Sequence, residues 1–208
     1  IPIKEEFYVY DKLSLPEKNN RNQIKKLLIS AGAHGVLKDL AQIIEELKSK
    51  EDLHITVVCG SNKLLFNKLM QNYQNNANIT ILGYVSNMAS LMNQSDIMVT
   101  KAGGISLSEA LAIRIPLILT PAVPGQEKDN ARFFEKEGMA IVTKSEDEIA
   151  PAVLALLKQP LLSRSLTKQM ENHFHPHASA LIVDKVLTLI DKPTLYKEPF
   201  HDSKEIKN

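Results

Sequence analysis

The chain has 208 residues, 44% of them hydrophobic and 24% charged, which suffices for one large domain with a substantial core. Lys and Arg number 25 against 24 Asp and Glu, a formal charge of +1, so nothing calls for a nucleic-acid partner. The single cysteine, Cys59, excludes an intramolecular disulfide and suits a reducing cytosol, and no apolar stretch approaches the ~20 residues needed to span a bilayer.

Aromatic residues make up only 5% and Trp is absent, so Ala, Leu, Ile and Val must fill the core. That favours short branched strands covered by helices. Residues 1–23 read as a linker rather than a strand. Leu27-Leu28-Ile29 is a short apolar run, and residues 35–47 follow as a helix with Val36, Leu40, Ile43, Ile44 and Leu47 at helical spacing. The β-branched run 55–59 contains Cys59, which reads as a small buried hydrophobe. Residues 64–73 are amphipathic, and 79–82 form a third strand. Ser86 is placed to cap a short helix carrying Met88, Leu91 and Met92.

Ile97-Met98-Val99 is a fourth strand, 105–113 a helix, 116–119 a fifth strand, and 129–137 a helix that stops at Gly138. Ala140-Ile141-Val142 is a sixth strand. Ser145 with Glu148 three residues on predicts a capping box opening a helix to residue 157. The domain so defined spans 24–191, and 192–208 reads as a polar tail. Strands alternating with crossover helices predict an α/β fold, a doubly wound Rossmann-like parallel sheet. Ligands bind such sheets beyond the carboxyl ends of the strands. The loops at 32–35, 60, 83–85 and 102–106 should converge there.

The sharpest motif is Thr100-Lys101-Ala102-Gly103-Gly104-Ile105-Ser106-Leu107-Ser108-Glu109-Ala110. Paired glycines let backbone N–H groups approach an anion, and a helix amino terminus adds roughly half a positive charge. Together they form a phosphate site, to which Ser106 adds a hydroxyl. Glu109, one turn on, can accept from two vicinal hydroxyls, as a ribose presents. By spacing alone the same residues also read as a tight turn with a first-turn carboxylate.

Pro121-Ala122-Val123-Pro124-Gly125-Gln126-Glu127-Lys128-Asp129-Asn130 is a second polar turn. Gln126, Glu127 and Asn130 carry groups that read sugar hydroxyls, or equally groups that cap a helix. Ser30-Ala31-Gly32-Ala33-His34-Gly35 joins strand to helix without the glycine spacing of a nicotinamide site. His34 is either a phosphate ligand or an exposed loop histidine. His173, His175 and His177 could bind a metal, but only Glu171 stands close by as an acidic partner and no Cys does, so they read as a solvated turn beside Pro176.

Gly83-Tyr84-Val85, the 101–110 motif and Pro124-Gly125-Gln126-Glu127-Lys128-Asp129-Asn130 together resemble the C-terminal domain of glycosyltransferase family 28. The diacylglycerol glycosyltransferases are the branch most resembled. The resemblance covers about residues 25–160. It implies the C-terminal half of a GT-B glycosyltransferase, which binds the UDP-sugar. By that likeness Val85 meets uracil through its backbone. Gly103, Gly104, Ile105 and Ser106 cradle the diphosphate, and Glu109 holds the ribose. Gln126, Glu127 and Asn130 read the sugar, with Gly32, His34 and Gly35 facing them from the other side.

An inverting transfer is implied, with no cofactor and no metal, at the inner face of the membrane, from cytoplasm to a lipid acceptor. The acceptor site and the base that deprotonates it are expected in an N-terminal domain. For that domain 208 residues leave no room, so it is expected either in a longer form of the chain, which opens at Ile1 rather than Met, or in a separate partner chain. An undecaprenyl-linked acceptor, a sugar epimerase and a non-catalytic nucleotide-sugar-binding module are the competing readings.

Overall fold

The computed structural model describes residues 1–9, 24–30 and 40–190. Six strands form one parallel sheet: β1 (Lys25–Ser30), β2 (Leu53–Val58), β3 (Ile79–Leu82), β4 (Ile97–Thr100), β5 (Leu117–Leu119) and β6 (Ala140–Val142). Their order is β3-β2-β1-β4-β5-β6, the doubly wound arrangement expected. The switch point lies between β1 and β4.

Intervening helices are α1 (Leu40–Leu47), α2 (Lys63–Tyr73), α3 (Met88–Gln94), α4 (Gly104–Ile113), α5 (Gln126–Lys136), α6 (Ile149–Lys158) and α7 (Pro160–His173). Alternation along each strand feeds two cores. Leu27, Ile29, Ile55, Val57, Ile97 and Val99 pack with α1 and α6 residues on one face. Leu28, Val58, Met98, Leu117 and Leu119 pack with α3, α4 and α5 residues on the other. Cys59 is fully buried, and that burial pushes its thiol up to about 11, so it is packing material and not a nucleophile.

Register fixes where the loops emerge. Ser30 pairs with Val58 and Val58 with Leu82; Thr100 pairs with Leu119 and Leu119 with Val142. All six strands therefore end together, at one rim of the sheet.

Several boundaries differ from the sequence reading. The helix expected at 35–47 is described from Leu40, its earlier residues lying outside the described ones. Asn87, not Ser86, sits at the amino end of α3, and its side chain makes no cap bond. The capping box at Ser145 does not form, because a short 3-10 turn (Glu146–Glu148) intervenes and α6 starts only at Ile149. The Glu148 carboxylate instead accepts from the Lys144 N–H at 2.7 Å. Helix α5 begins three residues early, at Gln126, because Gly125 turns the chain at φ 106°, a region that favours glycine.

The compact unit runs Ile1–Pro176, with His177–Asn208 as a second unit. Of the latter, α8 (Ala178–Ile190) is described; the tail 192–208 lies outside the described residues. Residues 1–9, expected as linker, include a 3-10 turn (Glu5–Phe7), and Phe7 is 1% exposed within the α4-side core. Tyr8 lies against Phe174, the rings tilted by 36° with centroids 6.1 Å apart, and Arg114 lies over the same ring. Phe7→Ala is expected to cost about 3–5 kcal/mol of stability, read from urea unfolding. A cost under about 1 kcal/mol would contradict this docking.

Candidate functional site

Strand β4 runs out of the core through Thr100, which is 2% exposed, into Lys101 and the fully buried Ala102. Gly103 keeps an extended conformation (φ −72°, ψ 134°) at the amino end of α4 and has no side chain to cap it. The first intrahelical bond is Leu107 N–H to Gly103 O at 3.0 Å. The N–H groups of Gly104, Ile105 and Ser106 thus have no helical acceptor, and none is taken by another described residue. Three donors and the positive end of the helix dipole face the rim. Ser108 turns its hydroxyl back to Gly104 O at 2.9 Å, whereas the Ser106 hydroxyl bonds to no other described residue.

A Cβ on Gly104 would lie 2.6 Å from Ile1 Cδ1 and 3.6 Å from Gln126 Nε2. The glycine is therefore where α5 and the amino-terminal segment both approach α4. Glu109, 1.4 turns along α4, is half-buried. Burial raises its carboxyl above the ordinary range, with Lys4 pulling it down and Glu6 pushing it up. The charged segment 4–6 thus faces Glu109 across the site.

Helix α5 is tied to the β4–α4 turn at two points. The Lys101 ammonium donates to Glu127 Oε1 at 3.2 Å, and Asn130 Nδ2 donates to Ala102 O at 2.9 Å. Asn130, expected to read a sugar, has its amide nitrogen committed to bracing the turn. Glu127 Oε2 is buried without a hydrogen-bond partner among the described residues. Val85 follows β3, packed by its side chain against the α4-side core, while Tyr84 beside it is exposed.

The structure thus brings Gly103, Gly104, Ile105, Ser106, Glu109, Gln126, Glu127 and Asn130 to one stretch of rim. Val85 lies at the end of β3, farther along the same rim. Gly32, His34 and Gly35 lie outside the described residues. The sequence reading missed Lys101 and the segment around Ile1 and Lys4. A lone cation directly after an apolar strand was the available signal for Lys101. A groove of about 430 Å³ farther along the rim, between α1 and the β6 loop, is lined by Gln42, Glu46, Pro121 and Lys144 among others; it contains none of the predicted residues.

Among the described residues no three ligating side chains cluster. His173 ends α7, with Nδ1 2.9 Å from Gln169 O and Nε2 3.2 Å from Glu137 Oε2. It joins α7 to α5, away from the turn.

Because Glu109 holds its proton more tightly folded than unfolded, the folded state binds more protons, and stability falls as pH rises from the unfolded value through the folded one. Glu109→Gln is therefore expected to stabilise the chain at pH 7, with the gain vanishing below about pH 4. Urea unfolding at the two pH values reads this; a gain independent of pH would contradict it.

Residues 27–185 match the glycosyltransferase family 28 C-terminal domain. A processive diacylglycerol beta-glucosyltransferase of Bacillus licheniformis is 40% identical over 192 residues, covering 90% of this chain and 50% of the relative. The chain spans about half the length of the curated relatives it matches. Among solved structures, the S. aureus MnaA-UDP co-structure superposes with a TM-score of 0.66 at 12% identity, covering 81% of this chain and 47% of that one. Acinetobacter baumannii MurG superposes at 0.59 and 22% identity, covering 81% and 50%. These two likenesses carry the fold alone. With its matched segment running from β1 into α8 and holding the whole β4–α4 turn, the chain belongs to the glycosyltransferase family 28 C-terminal domain family.

Proposed function

We propose that this chain is the donor-binding domain of an inverting glycosyltransferase that moves a hexose from a UDP-sugar, UDP-glucose first among candidates, to a diacylglycerol-type lipid. The observation that carries the reading is the open amino terminus of α4: three unclaimed N–H groups behind a Gly-Gly turn, with a half-buried carboxylate 1.4 turns on. Such a terminus binds phosphate. The Glu109 carboxylate is spaced to accept from ribose hydroxyls while the diphosphate sits on the turn. The 40% identity to a diacylglycerol glucosyltransferase supports the lipid acceptor and the glucosyl donor.

The chemistry follows from charge. Breaking the glycosidic bond leaves negative charge on UDP. The N–H groups of Gly104, Ile105 and Ser106, with the dipole of α4 behind them, stabilise that charge as it develops. No metal is required in this scheme. Gln126 and Glu127 orient the hexose, the latter through its unpaired oxygen. The acceptor hydroxyl and its base belong to a part of the enzyme beyond this chain, at the cytoplasmic face of the membrane. Among the described residues no helix is long and apolar enough to cross one.

Calorimetric titration of the purified chain should show UDP and UDP-glucose binding without added metal. Glu109→Ala should weaken UDP roughly tenfold or more, as loss of a charge-assisted bond pair implies. No binding to well-folded wild-type chain, or unaltered binding by the variant, would contradict the assignment. The same chain should show little or no glucosyl transfer to diacylglycerol, and appreciable steady-state turnover by it alone would contradict the division of labour.

A further inference from the structure

We propose that Lys101 is a positioning residue for the donor hexose, acting through Glu127; the inference rests on the donor-site reading above. Glu127 sits in the first turn of α5 and Lys101 at the end of β4, 26 residues apart, with Nζ and Oε1 3.2 Å apart. Both side chains are about three-quarters buried, at 26% and 25% exposed. A pair so placed gains little stability, because desolvation offsets the attraction. Its consequence is geometric. One oxygen of Glu127 is held by the ammonium, and the other, Oε2, is left buried with no partner among the described residues.

Buried acceptors are ordinarily satisfied. With no partner among the described residues, this oxygen is placed to accept from a hydroxyl or N–H of a bound ligand. Its location identifies the donor. The preceding residue, Gln126, reaches to 3.6 Å from the position of a Cβ on Gly104, so the start of α5 adjoins the diphosphate turn. A group bonded to that diphosphate, the hexose, is what presents a hydroxyl there. Asn130, three residues along α5 and so on the same face, bonds Ala102 O. This second tie keeps α5 docked when the lysine is removed. Loss of Lys101 therefore frees the Glu127 side chain without moving the helix, and weakens the hexose contact while leaving the α4 contacts to UDP in place.

The test is calorimetric titration of the 208-residue chain and its variants with UDP and with UDP-glucose. Lys101→Met should weaken UDP-glucose roughly tenfold and UDP less than about twofold, the scale of one charge-assisted hydrogen bond. Lys101→Arg, which keeps the cation, should recover UDP-glucose to within about threefold. In a Glu127→Gln background Lys101→Met should add nothing further, since the lysine acts through that carboxylate. A parallel fall for both ligands would mean a structural or phosphate-binding lysine and would overturn the proposal, as would unchanged UDP-glucose affinity. Wild-type chain that binds neither ligand overturns the donor-site reading and this inference with it. Wild type that binds both, with Lys101→Met indistinguishable from it, overturns this inference alone.

Discussion

The site depends on a helix that starts without a cap. Helix α4 begins at Gly104 behind Gly103, and neither residue offers a side chain to its first N–H groups. Most helices satisfy such groups locally with Ser, Thr, Asp or Asn; α2 does so, with Asn62 Oδ1 accepting from Leu65 N–H at 2.9 Å. At α4 the three donors stay open on the rim. The parallel register makes this usable, because β4 ends level with its neighbours and delivers the turn to the switch point between β1 and β4.

Other features hold that turn still. Lys101 and Asn130 tie it to α5, and Phe7 anchors the segment that brings Ile1 against Gly104. The arrangement carries a cost in stability. Glu109 is pressed into partial burial that disfavours its charge, and Glu127 keeps a buried oxygen unpaired among the described residues. Such local conflicts concentrate where a ligand resolves them. In the proposed function a nucleotide sugar would supply hydroxyl donors for the two carboxylates and an anion for the N–H groups.

Much of this was legible in the sequence. Runs such as Ile55-Thr56-Val57-Val58 and Ile97-Met98-Val99 announce buried strands by composition, and the glycine-rich exit from β4 marks the turn. What escaped was non-local. Phe7 lies in a short mixed stretch with neither helix nor strand periodicity, so only tertiary packing reveals it as an anchor. The Lys101–Glu127 pair joins residues 26 apart across two elements. The brace from Asn130 to Ala102 O escaped because its partner is backbone and leaves no trace in residue type. The start of α5 is hidden in the sequence because Gly125 enters the helix through a positive φ, whereas the polar residues after it resemble a continuing loop.

The central claim is that the uncapped start of α4 is the anion site. Backbone amide NMR of the labelled chain titrated with UDP tests it most directly. The account predicts that the largest shifts fall on Gly103, Gly104, Ile105 and Ser106, with smaller ones near Val85. Shifts concentrated elsewhere, such as the groove beside Gln42 and Lys144, with the Gly103–Gly104 amides unmoved, would contradict it.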